Sequence, residues 1–155
     1  MKEGGAPHAI GVCRDKAPQV AADYSELSGW SIHRTALRTR NPNNNPDDFE
    51  RAALTILDVD TLTEYTEWVT DSAGNQQFRY LSAIEMGKPC VTCHGPRTGI
   101  DDSLETIINE YYPDDHAVGF EPGDLRGAFS LTVSWPEGKA VADSLMLTKE
   151  NKESN

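Results

Sequence analysis

Positively charged residues and long apolar runs are scarce in this sequence. Only 14 Lys and Arg residues stand against 25 Asp and Glu residues, which gives a formal net charge of -11. Such an acidic chain repels phosphate backbones, so nucleic acid binding is ruled out, and anionic membrane surfaces are disfavoured for the same reason. No apolar stretch approaches the ~18 residues that are needed to cross a bilayer, so we expect no membrane span.

A secretion signal is also missing at the start of the sequence, because residues 1–5 are charged and glycine-rich and no apolar segment follows them.

Hydrophobic residues make up 37% of the chain, which is low for a globular protein but sufficient for a core that a large apolar cofactor completes. A length of 155 residues is typical of one domain. We therefore expect a single domain over residues 1–155, with a polar tail at residues 148–155.

Cysteine is rare as well, with three residues at positions 13, 90 and 93. The last two lie in Cys90-Val91-Thr92-Cys93-His94, which is the C-x-x-C-H motif of c-type haem attachment. Two thiols about one turn apart can each add to one vinyl group on the same porphyrin edge. His94, beside the second thiol, is then held beneath the iron as its proximal ligand. The sequence therefore predicts one covalently bound haem c.

Three other interpretations of these residues are open. A thioredoxin-like dithiol also uses C-x-x-C, but it needs no histidine and continues into a helix, where Gly95 and Pro96 stand here. A structural zinc site could recruit all three cysteines and His94. Cys93 and His94 are adjacent in sequence, however, and could both reach one tetrahedral ion only with awkward geometry. The third interpretation is three inert cysteines. We favour covalent haem, because the full C-x-x-C-H pattern rarely arises without a site.

Covalent haem also indicates where the protein works. The thiols must stay reduced until haem is ligated, and the ligation machinery works outside the cytoplasm. We therefore expect a periplasmic or otherwise extracytoplasmic location, with a signal peptide that was removed or lies outside this numbering. In that compartment Cys13 needs an explanation, because haem attachment uses only two of the three cysteines.

The residues around Cys13 have the spacing of a helix. Apolar residues recur on one face at Ala6, Ile10, Cys13, Ala17 and Val20. The pattern turns Cys13 inward, and Pro18 predicts a kink or a restart because it has no N–H for the carbonyl of Arg14. Cys13 is then either a small buried hydrophobe, as free cysteines usually are, or a ligand for the sixth position of the iron.

Five other side chains are candidates for that sixth position: His8, His33, His116, Met86 and Met146. The three histidines fall near a helix start, in a strand and in a solvated loop, and none of them is better placed than Cys13. Met86 lies only four residues before Cys90, too close to wrap to the opposite face of the haem. Met146 falls on a C-terminal helix and would give a His/Met cytochrome.

The periodicity predicts helix, strand, helix, hairpin, haem segment, helix, strand and helix in that order. The strands are expected at residues 30–39, 64–70, 76–86 and 127–135, and the last two helices at 102–112 and 139–147. Asn45 is the expected N-cap of the helix before the hairpin, and Asp102 with Glu105 the expected capping box of the next helix. Hairpin-joined strands flanked by helices predict an α+β fold with an antiparallel sheet.

Five motifs make the chain similar to a known family: Val12-Cys13-Arg14-Asp15-Lys16-Ala17-Pro18, Arg38-Thr39-Arg40-Asn41-Pro42-Asn43 with Pro46, Phe49-Glu50, Cys90-Val91-Thr92-Cys93-His94-Gly95 and Gly123-Asp124-Leu125-Arg126-Gly127-Ala128. With these motifs in the same order, most of the chain resembles bacterial c-type haem domains of unknown function. Those domains have a PAS-like fold and occur alone or as extracytoplasmic sensor inputs. The resemblance implies a PAS-like antiparallel sheet flanked by helices, with the motif histidine and the N-terminal cysteine, here His94 and Cys13, holding the iron.

Arginines are the expected partners of the haem propionates. Arg40 and Arg126 are our candidates, since a bidentate guanidinium suits a carboxylate. Both could equally be ordinary surface salt bridges of an acidic protein. A thiolate ligand at Cys13 would stabilise Fe(III) over Fe(II), and so lower the reduction potential relative to a His/Met site.

Two functions follow from such a haem. The first is low-potential electron transfer to a redox partner protein or within a larger, membrane-associated complex. The second is redox or gas (CO or NO) sensing, in which reduction weakens the iron–thiolate bond and Cys13 leaves. We expect no enzyme, because filled axial positions keep substrate from the iron and no acid–base or nucleophilic site stands out.

Overall fold

The computed structural model describes residues 5–144, which form an α+β fold. The helices are Gly5–Gly11 (α1), Ala17–Ser28 (α2), Asp48–Val59 (α3), Val91–His94 (α4) and Asp102–Tyr111 (α5), with a π-helical turn at Val12–Lys16 between α1 and α2. The strands are Ser31–Thr35 (β1), Glu64–Thr70 (β2), Gln76–Glu85 (β3) and Leu125–Ser134 (β4). Short 3-10 turns lie at Pro42–Asn44, Lys88–Cys90 and Arg97–Gly99, and residues 137–144 are helical. Within this part of the chain, no helix has both the length and the hydropathy to cross a bilayer.

The four strands form one antiparallel sheet, as the sequence predicts, and their order in the sheet is β1-β4-β3-β2. β4 pairs with both β1 and β3, so that Ala128 lies opposite Thr35 and Gly127 lies opposite Ile84. Because the pairing is antiparallel, the C-terminal ends of β1 and β3 lie beside the N-terminal end of β4. These three strand ends form one end of the sheet, where the candidate site lies.

One face of the sheet is covered by α3, whose apolar side chains supply the main core. Ala53, Leu54 and Leu57 pack against Leu81 and Ala128, and none of the five is more than 1% exposed. Burying each large side chain of this kind contributes about 1.5–3 kcal/mol. The packing holds the sheet as a rigid platform for the loops at its end.

A second, smaller cluster packs α1 against α5. Ile10 of α1 lies among Ile100, Leu104 and Ile108, and the half-buried Cys93 contacts the same cluster. The N-terminal helix is thereby fixed next to the C-x-x-C-H segment, about 80 residues further along the chain. α5 is therefore the element that connects the two halves of the site.

The start of α3 differs from the prediction by two residues. The Asp47 carboxylate accepts the Glu50 N–H at 2.7 Å, while the Glu50 carboxylate accepts the Asp47 N–H at 3.1 Å. This reciprocal capping box makes Asp47 the N-cap instead of Asn45. The Asn45 side chain accepts the Thr39 hydroxyl instead, which stabilises the preceding loop.

Other boundaries shift for similar local reasons. Asp101, and not Asp102, is the N-cap of α5, since its carboxylate accepts the Ser103 N–H at 3.0 Å. β1 stops at Thr35 and not at 39, because the Ala36 N–H donates to the Asn44 carbonyl and turns the chain away. The predicted end of the last helix at 147 and the tail 148–155 lie outside the described residues.

Candidate functional site

A cavity of about 360 Å³ lies at the end of the sheet where β1, β3 and β4 meet. This volume is in the range of small-molecule and cofactor sites. Five segments that are far apart in sequence form its wall: α1 with the π-helical turn, the end of β1 with the loop after it, the end of β3 with the C-x-x-C-H motif, the residue after α5, and the start of β4. The wall combines apolar side chains such as Ile10 and Met86 with three guanidinium groups, those of Arg34, Arg40 and Arg126.

The C-x-x-C-H motif forms a single helical turn beside this cavity. Cys90 ends a 3-10 turn and α4 follows directly, so the two cysteines are separated by one turn. Both are free thiols, and both line the cavity together with His94. The turn ends at Gly95, where a Cβ would lie 2.7 Å from the Val91 carbonyl, so a side chain would fit only with a shift of the backbone.

His94 is held in one orientation by a backbone acceptor. Its Nδ1 lies 2.7 Å from the carbonyl oxygen of Ala117. Burial, assisted by the nearby cations Arg40 and Arg126, lowers the pKa of His94 to about 4, so the ring is neutral at pH 7. A neutral imidazole that donates from Nδ1 leaves Nε2 as a free lone pair, which is the state of a metal-binding histidine.

The segment after α5 is bound tightly to the motif. The Phe120 N–H donates to the His94 carbonyl at 3.0 Å, and the Gly119 N–H donates to the Gly95 carbonyl at 2.8 Å. Arg40 Nη2 donates to the Cys93 carbonyl at 2.5 Å and to the Asp115 carboxylate at 2.9 Å. The motif is therefore fixed by residues 23 or more positions away, and not by its own short helix alone.

Cys13 lies on the π-helical turn, and its side chain faces the same cavity as the motif. The predicted restart near Pro18 is present: the π turn ends at Lys16, and α2 begins with Pro18 in its first turn. The Cys13 side chain is exposed, so the interpretation of Cys13 as a small buried hydrophobe is wrong. π turns within helices are common at functional sites.

The carbonyl of Cys13 lacks a hydrogen-bond donor from its own helix and accepts a hydrogen bond from the sheet instead. In the π register the Ala17 N–H donates to Val12, five residues back, so the Cys13 carbonyl would need a donor at residue 18. Pro18 has no N–H to offer. Arg34 Nη2 donates to this carbonyl instead, at 3.1 Å, and so attaches the π turn to β1.

The other candidates for the sixth ligand are placed less favourably. His8 and His116 are exposed, His33 pairs with Glu50 on the α3 side of the sheet, and none of the three lines the cavity. Met86 lines the cavity but is 1% exposed and packs with Val91 of the motif turn. Met146 lies outside the described residues.

The zinc interpretation needs four side chains around one small ion. Within residues 5–144, no group of three or more His, Cys, Asp or Glu side chains is close enough together to hold a metal ion. The three cysteines and His94 all fall within that range, so in this structure they do not form a tetrahedral zinc site. The helix at the motif is one turn long, which also differs from the long helix that follows a thioredoxin-like dithiol.

Both candidate arginines line the cavity, and neither is a surface salt bridge. The side chain of Arg40 is only 10% exposed and pairs with the buried Asp115, yet its Nε has no hydrogen-bond partner among the described residues. Burial and the neighbouring Arg40 cation lower the pKa of Arg126 to about 10, and Arg126 still donates to the Arg38 carbonyl at 3.3 Å. Positive charge therefore concentrates around this cavity, although the chain as a whole is acidic.

Two residues of the site are missed by sequence reasoning. Asp115 stands in an acidic, loop-like segment that predicts solvation, but its carboxylate is 1% exposed and bound to Arg40. Arg34 stands in a strand with no motif around it, and the packing of α2 on β1, with Ser25 bonded to Ile32, brings it to Cys13. Neither contact has a signal in the local sequence.

The sequence matches a family model described as Tll0287-like over residues 2–134. Among solved structures, the crystal structure of the cyanobacterial heme-protein Tll0287 is similar, with 31% sequence identity and a TM-score of 0.64. That similarity covers 76% of this chain and 69% of the other. No curated protein matches the sequence.

Proposed function

This chain belongs to the Tll0287-like family, and from that membership we propose that it binds haem and acts in electron transfer as an extracytoplasmic monohaem c-type cytochrome. One observation carries the proposal: Cys13, Cys90, Cys93 and His94 line a single cavity. Haem bound there would supply a one-electron Fe(III)/Fe(II) couple.

The residues present fit a haem c. The motif thiols are free and one turn apart, as two thioether bonds to one porphyrin edge require. A buried guanidinium nitrogen without a partner is costly, and a propionate oxygen is an acceptor that Arg40 Nε could use. Arg126 adds a second cation beside it, so the wall offers one guanidinium for each of the two propionates.

His94 and Cys13 are the proposed axial ligands. His94 presents a neutral ring with Nδ1 bound, and Cys13 enters the cavity from a different segment, the π turn. An anionic sulfur donor favours Fe(III), so the reduction potential should be lower than that of a His/Met site. With these two residues as ligands, no position is left for a substrate, and we propose no enzymatic activity.

Sensing of redox state or of a gas such as CO or NO is the second candidate function. It is favoured by the position of Cys13 on an exposed π turn that a single hydrogen bond from Arg34 attaches to the sheet. A ligand held on such a segment could leave the iron without unfolding the core, and its departure would move the π turn relative to β1. That movement would be the output of the sensor.

The wider assignments are also proposals. Haem attachment through two thioethers implies maturation in the periplasm or another extracytoplasmic space, and the acidic surface suits a basic redox partner protein or membrane-associated complex. We propose a PAS-like arrangement for the antiparallel sheet and its flanking helices, on the basis of the strand order and of α3 covering one face.

Absorption spectra of the oxidised and reduced holoprotein, before and after addition of CO, test these proposals. We expect a thiolate signature in the oxidised wild type that disappears in Cys13→Ala, while Met86→Leu leaves it unchanged. Retention of the signature in Cys13→Ala would overturn the assignment of the sixth ligand. Rapid CO binding to the reduced wild type favours sensing, whereas an inert six-coordinate ferrous haem favours electron transfer.

A further inference from the structure

A buried ion pair lies next to Ala117, on the Nδ1 side of His94. Asp115 and Arg40 are 75 residues apart in sequence, and their side chains are 1% and 10% exposed. Two charges removed from water cost several kcal/mol unless their geometry and hydrogen bonds are good. A pair of this kind beside a cofactor site needs a reason beyond stability.

The pair is connected to the histidine through a single residue, Ala117. Asp115 Oδ1 accepts the Ala117 N–H at 2.8 Å, and the Ala117 carbonyl accepts from His94 Nδ1 at 2.7 Å. Arg40 Nη2, bound to Asp115 Oδ2, also reaches the Cys93 carbonyl at 2.5 Å. The same two side chains therefore fix both the acceptor of the histidine and the backbone that carries it.

We propose that Asp115 and Arg40 are positioning residues that hold the Ala117 carbonyl against His94 Nδ1 and thereby lower the reduction potential of the haem. The proposal rests on the proposed function, since it takes His94 as an axial ligand. A firm acceptor at Nδ1 makes the imidazole a stronger donor, which stabilises Fe(III) over Fe(II). If the carbonyl is free to move, the bond weakens and the potential rises.

The surrounding contacts limit how the carbonyl could be held in other ways. The Asp115 carbonyl accepts from Arg97 Nη2 at 2.8 Å, and the His116 N–H donates to the Thr39 carbonyl at 3.0 Å. These bonds fix the segment before Ala117, while Asp115 binds the Ala117 N–H and Arg40 Nη2 donates to the Ala117 carbonyl at 3.5 Å. The ion pair therefore holds Ala117 on both sides, at its N–H and at the carbonyl that accepts from His94.

Because Asp115 and Arg40 carry opposite charges, an effect of positioning on the reduction potential can be distinguished from a purely electrostatic effect. Loss of a negative charge near the iron raises the potential and loss of a positive charge lowers it, so Asp115→Asn and Arg40→Gln would shift it in opposite directions if charge alone mattered. Positioning predicts that both variants raise the midpoint potential. Asp115→Glu keeps the charge but moves the carboxylate, and positioning predicts that it also raises the potential.

The experiment is a potentiometric titration of the holoprotein and these variants, with Asp114→Asn as the control because Asp114 is the exposed neighbour. Resonance Raman spectra in a Cys13→Ala background give a second readout, since the iron–histidine stretch should move to lower frequency in each variant. Opposite shifts of the potential, or an unchanged stretch, would overturn the inference. If no haem is bound by the wild type, the proposed function fails; if haem is bound and Asp115→Glu behaves as the wild type, only this inference fails.

Discussion

Removal of the Arg34 guanidinium should loosen the attachment of Cys13. Arg34 Nη2 donates to the Cys13 carbonyl at 3.1 Å, and Pro18 removes the helical donor that would replace it. A hydrogen bond from a charged group contributes about 1.5–3 kcal/mol when buried, and about 1 kcal/mol is a reasonable value for this exposed one. At 1.4 kcal/mol for each factor of ten, Arg34→Ala should raise the ratio of released to bound Cys13 about fivefold.

Binding of CO to the reduced holoprotein measures that ratio. With Cys13 as the proposed sixth ligand, CO would bind only where Cys13 has left the iron, so its apparent dissociation constant would be the intrinsic constant divided by the released fraction. While the released fraction is small, Arg34→Ala should tighten apparent CO binding about fivefold, in line with the ratio above. Lys16→Ala is the matched control, because Lys16 lies on the same π turn and its side chain is exposed, whereas Arg14 stacks on Tyr111 of α5.

A double-mutant cycle tests the route of the effect. In a Cys13→Ala background the Arg34 substitution should no longer change CO affinity, because there is no thiolate left to release. An equal fivefold effect in that background would refute the reasoning, since Arg34 would then act on the haem directly. An unchanged affinity in the single variant would refute it as well.

The remaining predictions concern the polar network under α3 and the packing at the end of the sheet. Glu50→Ala should lower the free energy of unfolding in urea by about 3–5 kcal/mol, because it leaves the buried Arg79 cation without one of its partners; a loss below about 1 kcal/mol would contradict this. The hydrogen bond to Glu50 raises the pKa of His33, so its contribution to stability is complete below the ordinary pKa of histidine and is lost as pH rises through the raised value. His33→Gln should flatten that part of the stability–pH curve, and an unchanged curve would exclude the pair as its source. Gly127→Ala should lower stability by about 1–3 kcal/mol, since a Cβ there would clash with the backbone of β1, whereas Gly99→Ala meets open space and should change thermal unfolding little.

The fold class and the haem motif could be predicted because their signals are local. The hairpin around residues 71–75 follows from alternation and turn residues, and the bounds of β2 match the prediction. The helix around Cys13 follows from apolar spacing and from Pro18. What the periodicity could not predict is that the disturbance at Pro18 takes the form of a π turn, which sets where the Cys13 side chain points.

The parts of the site that sequence could not predict depend on contacts over long distances along the chain. Asp115 lies in a segment that is polar by composition, and only the fold shows that it is buried against Arg40. Asn45 and Asp47 are both good N-caps, and the choice between them depends on Glu50, which also binds Arg79 and His33 across the sheet. At these two places a tertiary partner, and not local propensity, decided the structure.

The most direct test of the account is the intact mass of the protein produced together with a c-type haem ligation system and measured after denaturation. The account predicts the mass of the chain plus one haem, with a pyridine haemochrome spectrum typical of two thioether bonds, and a change to a single-thioether spectrum in Cys90→Ala. A protein of unmodified mass, or a haem that acid–acetone extracts from the wild type, would contradict it.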